Sequence, residues 1–393
     1  MAIVKLTNSQ IKDVVNESYR QFIGTDDVNV NLDLSKFTDT GTTDVNALRS
    51  NFTGKLLGVL AKNWYTDTSA RSTFKDVFYE DENRFGSIIQ AISVSVPEVK
   101  ENSAWREFES GVSQVGVYTV YLPVVDTQYY TKSESWALPI TVTGQQWDTA
   151  FKSEEELYSF VDYLFLVLDN AIVKHMEDMN ASNRNNFIAE KINAQEVSAG
   201  KYNAVNLVKE YCDDRGIATS FSVGEFLQNK DCLLFAIEKI KMYMGFMQKQ
   251  TSLFNTAGKV RHTPTDRLVV QILSYFEERL FSNALSDTFH ADMISLPYHE
   301  SVPAWQSVAN LDFNGLSTIN IKSASGKTIK KSGIVALICD KWAILHTVKR
   351  HRIASQYFSI EDLTHYEYQY RDQYMNNLTM NGLVLYLDNV VVA

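Results

Sequence analysis

The segment from residue 153 to about residue 192 constrains the fold of this chain more than any other. Ser153-Glu154-Glu155-Glu156 is typical of a capping box, in which Ser153 and Glu156 would each accept a hydrogen bond from the other's backbone N–H. Helical spacing then continues through the apolar residues Leu157, Phe160, Val161, Leu164, Phe165, Leu168, Ala171, Ile172, Met176 and Met179. A helix of this length would be about 60 Å long. Such a rod is typical of an extended subunit.

One part of this segment leaves two interpretations open. Residues 180–186 are rich in asparagine and serine, which favour other backbone conformations over the helix, so a kink or break is predicted there. A single kinked helix indicates an extended subunit. Two ordinary core helices in tandem, each closer to the usual length of about 11–12 residues, are the alternative.

The composition excludes several classes of protein. The chain has 393 residues and 45% hydrophobic content, enough for two or three cores. A net charge of −10 argues against strong binding to a nucleic-acid backbone. There is neither a secretory signal pattern nor an uncharged apolar run of about 18 residues, so no membrane segment is expected. The scattered Cys212, Cys232 and Cys339 are predicted to be buried, reduced thiols of a cytosolic chain.

A second informative segment covers residues 98–143. Two strand-like runs, 115–125 and 135–142, flank a polar, tyrosine-rich tip at 126–134. Pro123 and Pro139 cannot donate to a strand ladder, so each run is predicted to be an edge strand or part of an exposed hairpin. Such a hairpin needs a neighbour to lie on, either another subunit or its own domain. The candidate contact residues are Tyr118, Tyr121, Tyr129, Tyr130, Lys132 and Trp136.

The remaining patterns predict a mixture of helices and strands. Residues 364–374 alternate between a tyrosine-rich face and a charged face, as expected of a strand. Further predicted strands are 88–96, 201–208, 267–272, 334–338 and 383–387, and a hairpin turns at 325–327. Predicted helices are 9–22, 47–64, 231–250 (capped by Asp231) and 274–285, although 267–285 also fits one continuous helix. A polar run at 26–44 indicates an arm or surface loop.

No segment carries a recognisable catalytic or ligand-binding motif. Ser325-Gly326-Lys327-Thr328 resembles the end of a phosphate-binding loop, but Ile321 stands where that motif needs glycine. His290, His299 and Glu300 do not match the spacing of a zinc site. The basic run at 349–352 is predicted to be a solvated loop or a contact with an acidic neighbouring surface. The sequence therefore predicts no catalytic residue, no cofactor, no metal and no enzymatic activity.

Four segments resemble the major capsid proteins of tailed phages with the Hong Kong 97-type fold. Within that group they are most similar to those of small short-tailed podoviruses with protein-primed replication. The segments are 147–151, 336–342, 366–374 and 381–385. The resemblance covers roughly residue 88 to the C-terminus. It implies an α+β fold with an N-terminal arm, an extended β-hairpin loop, a long spine helix, a peripheral domain and an axial domain.

The resemblance also implies domain boundaries. Residues 1–87 would form the arm and leading helices, and 88–145 the extended loop hairpin with a flanking strand. Residues 146–212 would form the peripheral domain with the spine helix, joined by a returning strand at about 356–375. Residues 213–355 and the closing strand at 376–393 would form the axial domain. Some members of this fold carry a Lys–Asn crosslink, but Lys132 has no asparagine partner that can be matched.

The function that this resemblance implies is structural. The chain would self-assemble into hexamers and pentamers that form the icosahedral head around phage double-stranded DNA. Copies of itself, portal protein and scaffolding protein are the expected partners, with DNA nearby through non-specific proximity and no membrane. The chain would be assembled in the host cytoplasm and reside in the virion. Two alternatives are an encapsulin-like nanocompartment shell and an intracellular two-domain α/β enzyme without a local motif.

Overall fold

The fold was analysed in a computed structural model. It describes residues 79–80, 89–94, 125–130, 134–146, 154–197, 200–285, 299–306, 318–322, 326–358 and 360–391. The predicted elements at 9–22, 26–44 and 47–64 lie outside these residues, as do Ser153 of the predicted capping box, Pro123 and His290. The chain divides into two compact units. Unit 1 comprises Met1–Phe85, Ser133–Phe187 and Ile344–Asn376, and unit 2 comprises Gly86–Lys132, Ile188–Ala343 and Asn377–Ala393.

Helices and strands alternate along the described chain. The helices are α1 (Glu154–Val197), α2 (Leu207–Arg215), α3 (Val223–Gln228), α4 (Lys230–Met247) and α5 (Ser274–Leu285). The strands are β1 (Tyr79–Glu80), β2 (Ile89–Val94), β3 (Val125–Tyr130), β4 (Glu134–Thr143), β5 (Ala204–Asn206), β6 (Leu268–Leu273), β7 (Glu300–Val302), β8 (Ile319–Lys322), β9 (Thr328–Lys331), β10 (Ile334–Asp340), β11 (Ile344–Phe358), β12 (Leu363–Asn376) and β13 (Gly382–Tyr386). None of the described helices has the length and apolar content needed to span a bilayer.

The long helix α1 is continuous over 44 residues, so the predicted break and the tandem-helix alternative are both wrong, whereas the kink stays a prediction. Asn180, Asn183 and Asn185 in its middle are buried, and Asn183 is hydrogen-bonded to other elements of unit 1. The Asn183 side-chain amide donates to the Leu345 carbonyl at 3.3 Å, and the Asn376 side-chain amide donates to the Asn183 carbonyl at 3.1 Å. These tertiary contacts offset the low intrinsic helix propensity of asparagine.

Unit 1 contains a four-stranded sheet in the order β1-β11-β12-β4. Strand β4 lies at its edge with Pro139 opposite Glu367, which confirms the edge position predicted from this proline. The alternation predicted for β12 is also confirmed, because Tyr366 and Tyr368 are buried. Tyr368 forms a core with Ile172 of α1, and Trp136, Leu138 and Met176 pack around the pair.

The predicted hairpin between residues 115–125 and 135–142 is wrong for the part that the structure describes. Residues 125–130, most of which were assigned to the tip, form β3 and pair antiparallel with β2, the strand predicted at 88–96. Strand β4 pairs with β12 instead. The physical reason is that Trp136 and Leu138 of β4 reach the core of unit 1 through this pairing, and a free hairpin would leave both exposed.

Unit 2 is built on a five-stranded sheet in the order β5-β13-β10-β6-β7. All seven residues of β10 are buried, as predicted for residues 334–338, and β13 confirms the apolar closing strand. Strand β6 is followed by helix α5, which confirms the predicted strand and helix within residues 267–285 and excludes the single continuous helix. Trp305 is fully buried and donates its indole N–H to the Ile334 carbonyl at 2.7 Å. Cys212, Cys232 and Cys339 are buried free thiols, as predicted.

Two local predictions in unit 2 need correction, both because an asparagine caps a helix. The strand predicted at 201–208 is limited to β5, since Asn206 accepts from the Val208 N–H and starts α2 there. Helix α4 is capped by Asn229, which accepts from the Asp231 N–H at 2.9 Å, and Asp231 is not the cap. A side-chain oxygen at this position satisfies a backbone donor that the first turn leaves free.

Position 333 requires glycine, because of both its backbone conformation and the close approach of a neighbouring carbonyl. Its φ is +76°, and an added Cβ would lie 2.2 Å from the Leu387 carbonyl oxygen. We expect Gly333→Ala to lower the free energy of unfolding by about 3 kcal/mol, because positive φ and the clash with backbone both oppose the side chain. Gly326→Ala is the control, since its φ is +84° and nothing lies within 4 Å. Urea unfolding of the unassembled chain measures both, and equal losses would contradict the close-approach argument.

Candidate assembly surface

The two-stranded ribbon β2–β3 in unit 2 presents an apolar face to solvent. Gln90 pairs with Tyr129 and Ile92 pairs with Thr127, so these residues lie on one face together with Val125, two positions from Thr127. Exposure on this face is 62% for Ile92, 54% for Val125 and 63% for Tyr129. Large apolar side chains gathered on one exposed face are typical of a protein–protein contact.

Unit 1 also carries an exposed apolar stripe. Tyr163, Leu166 and Val167 on α1 are exposed, and Leu166 and Val167 come three and four residues after Tyr163, so both lie next to it on one side of the helix. The stripe is therefore a second surface on which another protein can bury apolar area.

The six candidate contact residues have different locations. Tyr129 is exposed on the apolar face of the ribbon. Tyr130 is half-buried and donates its hydroxyl to Gln128 Oε1 at 3.1 Å, and burial raises the pKa of this phenol. Trp136 packs in the core of unit 1, with its ring 4.5 Å from that of His175. Tyr118, Tyr121 and Lys132 lie outside the described residues. Whether any of the six contacts another subunit stays a prediction.

Sequence patterns alone did not single out Ile92 and Val125. The signal that identifies them is the strand pairing, since only the register of β2 with β3 places both on the same face as Tyr129. The tip was read as polar because residues 126–134 contain aspartate, threonine and glutamine. Pairing with β2 places part of that segment on the same face as Ile92, and this face is apolar.

The other sequence features serve the fold. The basic run at 349–352 lies within β11, so the predicted solvated loop is wrong. Lys327 of the phosphate-loop-like segment forms an ion pair with Glu196 at a hairpin turn, not at the start of a helix. His299 Nε2 lies 2.9 Å from Glu277 Oε1. Within the described residues no group of three or more side chains is placed to hold a metal ion.

These features define a protein whose described functional surface is suited to association with other proteins. A family model, the Phi29-like phage major capsid protein, matches residues 9–386. The chain belongs to this family, and it is a shell subunit of a phage head. The comparison with curated proteins found no match.

Several solved structures are similar to this chain at low sequence identity. The capsid of Staphylococcus phage Andhra is 12% identical, with a TM-score of 0.49, covering 81% of this chain and 84% of that chain. The capsid of Cyanophage P-SCSP1u is 11% identical, with a TM-score of 0.48, covering 81% and 88% respectively. The mature capsid of bacteriophage PhiM1 is 8% identical, with a TM-score of 0.42, covering 81% and 88%.

The family match carries the assignment. It confirms the predicted tailed-phage major capsid protein, and the described helices and strands have the predicted α+β composition. A capsid subunit assembles with copies of itself, resides in the virion and has a structural role. The nanocompartment and the two-domain enzyme are not favoured.

Proposed function

We propose that the apolar face of the β2–β3 ribbon joins neighbouring copies of this chain into the hexamers and pentamers of the head. The observation that supports this proposal is the exposure of Ile92, Val125 and Tyr129 on one face of one ribbon. A two-stranded ribbon is marginally stable in water, so a neighbouring surface would stabilise it as well as bury its apolar side chains.

The expected strength of this contact suits a shell. Fully burying one large apolar side chain contributes about 1.5–3 kcal/mol, so a face with three of them gives a modest interaction. In a closed head every subunit makes the same contact, and linked contacts add to a large cumulative stability. Modest individual contacts also allow wrongly placed subunits to dissociate during assembly.

The predicted domain roles fit this proposal. Residues 1–87 would act as the arm, 88–145 as the loop that reaches a neighbour, 146–212 as the peripheral domain and 213–355 as the axial domain. The packing of Tyr368 in β12 against Ile172 in α1 supports the role of 356–375 as a strand that returns along the spine helix. The closing strand within 376–393 pairs with β10, which supports its place beside residues 213–355.

The remaining parts of the proposed function concern partners. The net charge of −10 supports a head wall that encloses double-stranded DNA without adhering to it, because like charges repel. Portal and scaffolding proteins are the further partners that we propose, with assembly in the host cytoplasm. We also propose that the chain has no catalytic activity.

The ribbon proposal is tested by Ile92→Ser combined with Tyr129→Ser. We expect the chain to stay folded by circular dichroism but to yield at least about tenfold fewer heads by sedimentation and electron microscopy, because the apolar contact is lost. Gln90→Ser, on the same exposed face, is the matched control and should assemble normally. Normal heads from the double variant would contradict the proposed role of the ribbon.

A further inference from the structure

The turn between β11 and β12 in unit 1 presents an isoleucine almost completely to solvent. Ile360 is 97% exposed and Phe358, at the end of β11, is 42% exposed. Phe358 pairs with Leu363 as the last pair of the long β11–β12 ladder. The two apolar side chains therefore lie at the tip of a long hairpin, and Glu361 and Asp362 beside them are also exposed.

The tip makes hydrogen bonds with Tyr357 of β11 and with Gly144, the residue after β4. Asp362 has a φ of +45°, which is unusual for a residue other than glycine. Its carbonyl accepts from the Gly144 N–H at 2.7 Å, and its Oδ1 accepts from the Tyr357 hydroxyl at 3.0 Å. A Cβ on Gly144 would lie 1.8 Å from Asp362 Oδ2, so the turn packs directly on the glycine backbone.

A turn held this way is a pre-organised apolar projection. Apolar side chains on a mobile loop would lose conformational freedom on binding, and a fixed turn avoids much of that cost. The carbonyl and Oδ1 of Asp362 accept hydrogen bonds from Gly144 and Tyr357, whereas Glu361 is exposed, so the tip presents an apolar pair beside a carboxylate.

The size of this surface determines what it can bind. Two side chains offer far less than the roughly 800 Å² per partner of a stable two-protein interface, so the tip alone cannot hold a separate protein. A contact this small becomes effective where it is repeated around a closed assembly of identical subunits. The chain belongs to a family of such subunits, so a second copy of the same chain fits the tip better than any other occupant.

We infer that the β11–β12 tip is an assembly contact, with Ile360 and Phe358 inserted into an apolar site on another copy of this chain. Gly144, Tyr357 and Asp362 are positioning residues that hold the tip. This inference rests on the shell-forming role but not on the ribbon contact. Failure of the ribbon proposal would leave it standing.

The first test labels the tip in assembled heads. Ile360→Cys introduces an exposed thiol, whereas Cys212, Cys232 and Cys339 are buried, so the unchanged chain gives the background. Heads and unassembled chains are separated from cells that express the full chain with the other head proteins of its phage. A maleimide reagent should label the variant in the unassembled chain and at least about tenfold less in heads, because the contact covers the thiol. Equal labelling in both forms would overturn the inference.

The second test identifies what covers the tip. A photoreactive maleimide attached to Ile360→Cys before assembly should crosslink the tip to a peptide of a second copy, identified by mass spectrometry. Crosslinks only to a different protein would overturn the inference.

A pair of substitutions keeps the inference testable if the cysteine variant does not assemble. Ile360→Val keeps the contact apolar and should yield as many heads as the unchanged chain, whereas Ile360→Asp should reduce the yield about tenfold. Both should leave the thermal unfolding of the unassembled chain unchanged, because a 97% exposed side chain contributes little to the fold. Normal head yield from Ile360→Asp would contradict the inference.

Discussion

Replacing Lys191 by methionine is expected to remove a strong pH dependence from the stability of this chain. Lys191 lies in α1 within unit 2 and has 0% exposure. Its ammonium group donates to the Phe254 carbonyl at 2.9 Å and to Asn203 Oδ1 at 3.4 Å. Burial lowers the pKa of Lys191 from 10.5 to about 7, with a smaller opposing effect of Cys339 and a smaller additional effect of Lys201.

The sign of the effect follows from proton binding in the two states. Between pH 7 and 10 the unfolded chain holds a proton on this lysine and the folded chain does not, so folding releases a proton. The stability of the unchanged chain therefore gains about 1.4 kcal/mol per pH unit from this group, or about 4 kcal/mol over that range. Below pH 7 both states are protonated and the cost of the buried charge is fully present.

The measurement is denaturant unfolding of the unassembled chain at several pH values. The free energy of unfolding of Lys191→Met minus that of the unchanged chain should fall by about 4 kcal/mol from pH 7 to pH 10. Lys241→Met, at an exposed lysine of α4, is the matched control and should show no such trend. A difference for Lys191→Met that stays constant with pH would show that this amine keeps its ordinary pKa in the fold.

The second large effect is expected at Asp340, the last residue of β10. Its carboxylate is 1% exposed and accepts from Arg267 Nη2 at 2.5 Å, Thr263 Oγ1 at 3.1 Å and the Trp342 N–H at 3.0 Å. The Arg267 guanidinium also lies 3.8 Å from the centre of the Trp342 ring. The carboxylate therefore joins several segments of unit 2 through charged and neutral hydrogen bonds at once.

We expect Asp340→Asn to lower the free energy of unfolding by about 3–5 kcal/mol, because it leaves the partly buried Arg267 without its counter-charge. Asp388→Asn is a matched control, since Asp388 lies 2.6 Å from Lys331 but is 54% exposed. An exposed pair contributes about 0–1 kcal/mol, so this isosteric change should have a small effect. Urea unfolding compares the two variants, and similar losses would contradict the importance of burial.

A double variant separates the ion pair from the rest of this network. Arg267→Met combined with Asp340→Leu removes both charges together. It should cost less than the sum of the two single changes, because neither charge is left buried alone. Strict additivity would mean that the pair does not interact in the fold.

Local sequence patterns correctly predicted the strands whose burial in the tertiary structure matches the pattern along the chain. The continuous apolar run of β10 predicted a strand buried on both faces, and the alternation of β12 predicted a strand buried on one face. The proline of β4 predicted an edge strand, because proline cannot donate to a strand ladder. Helical spacing predicted most of α1. Its uninterrupted length was missed because Asn183 is satisfied by Leu345 and Asn376, which lie far away in the sequence.

The candidate assembly surface was predicted only in part. Tyrosine content pointed to Tyr129, but the face it shares with Ile92 and Val125 depends on a register between strands that are more than thirty residues apart. Ile360 carries no sequence signal at all, because a single apolar residue in a turn has no periodicity. Its importance comes from its exposure and from the contact between Asp362 and Gly144.

The sequence by itself determined the long helix and the buried thiols, because those features depend on residue type and spacing along the chain, and its resemblance to phage capsid proteins implied the α+β class. The tertiary structure alone decided that residues 125–130 pair with β2 and which apolar side chains remain exposed. Both depend on contacts between distant segments, and the free energy of burying apolar area selects among pairings that local propensity leaves equivalent.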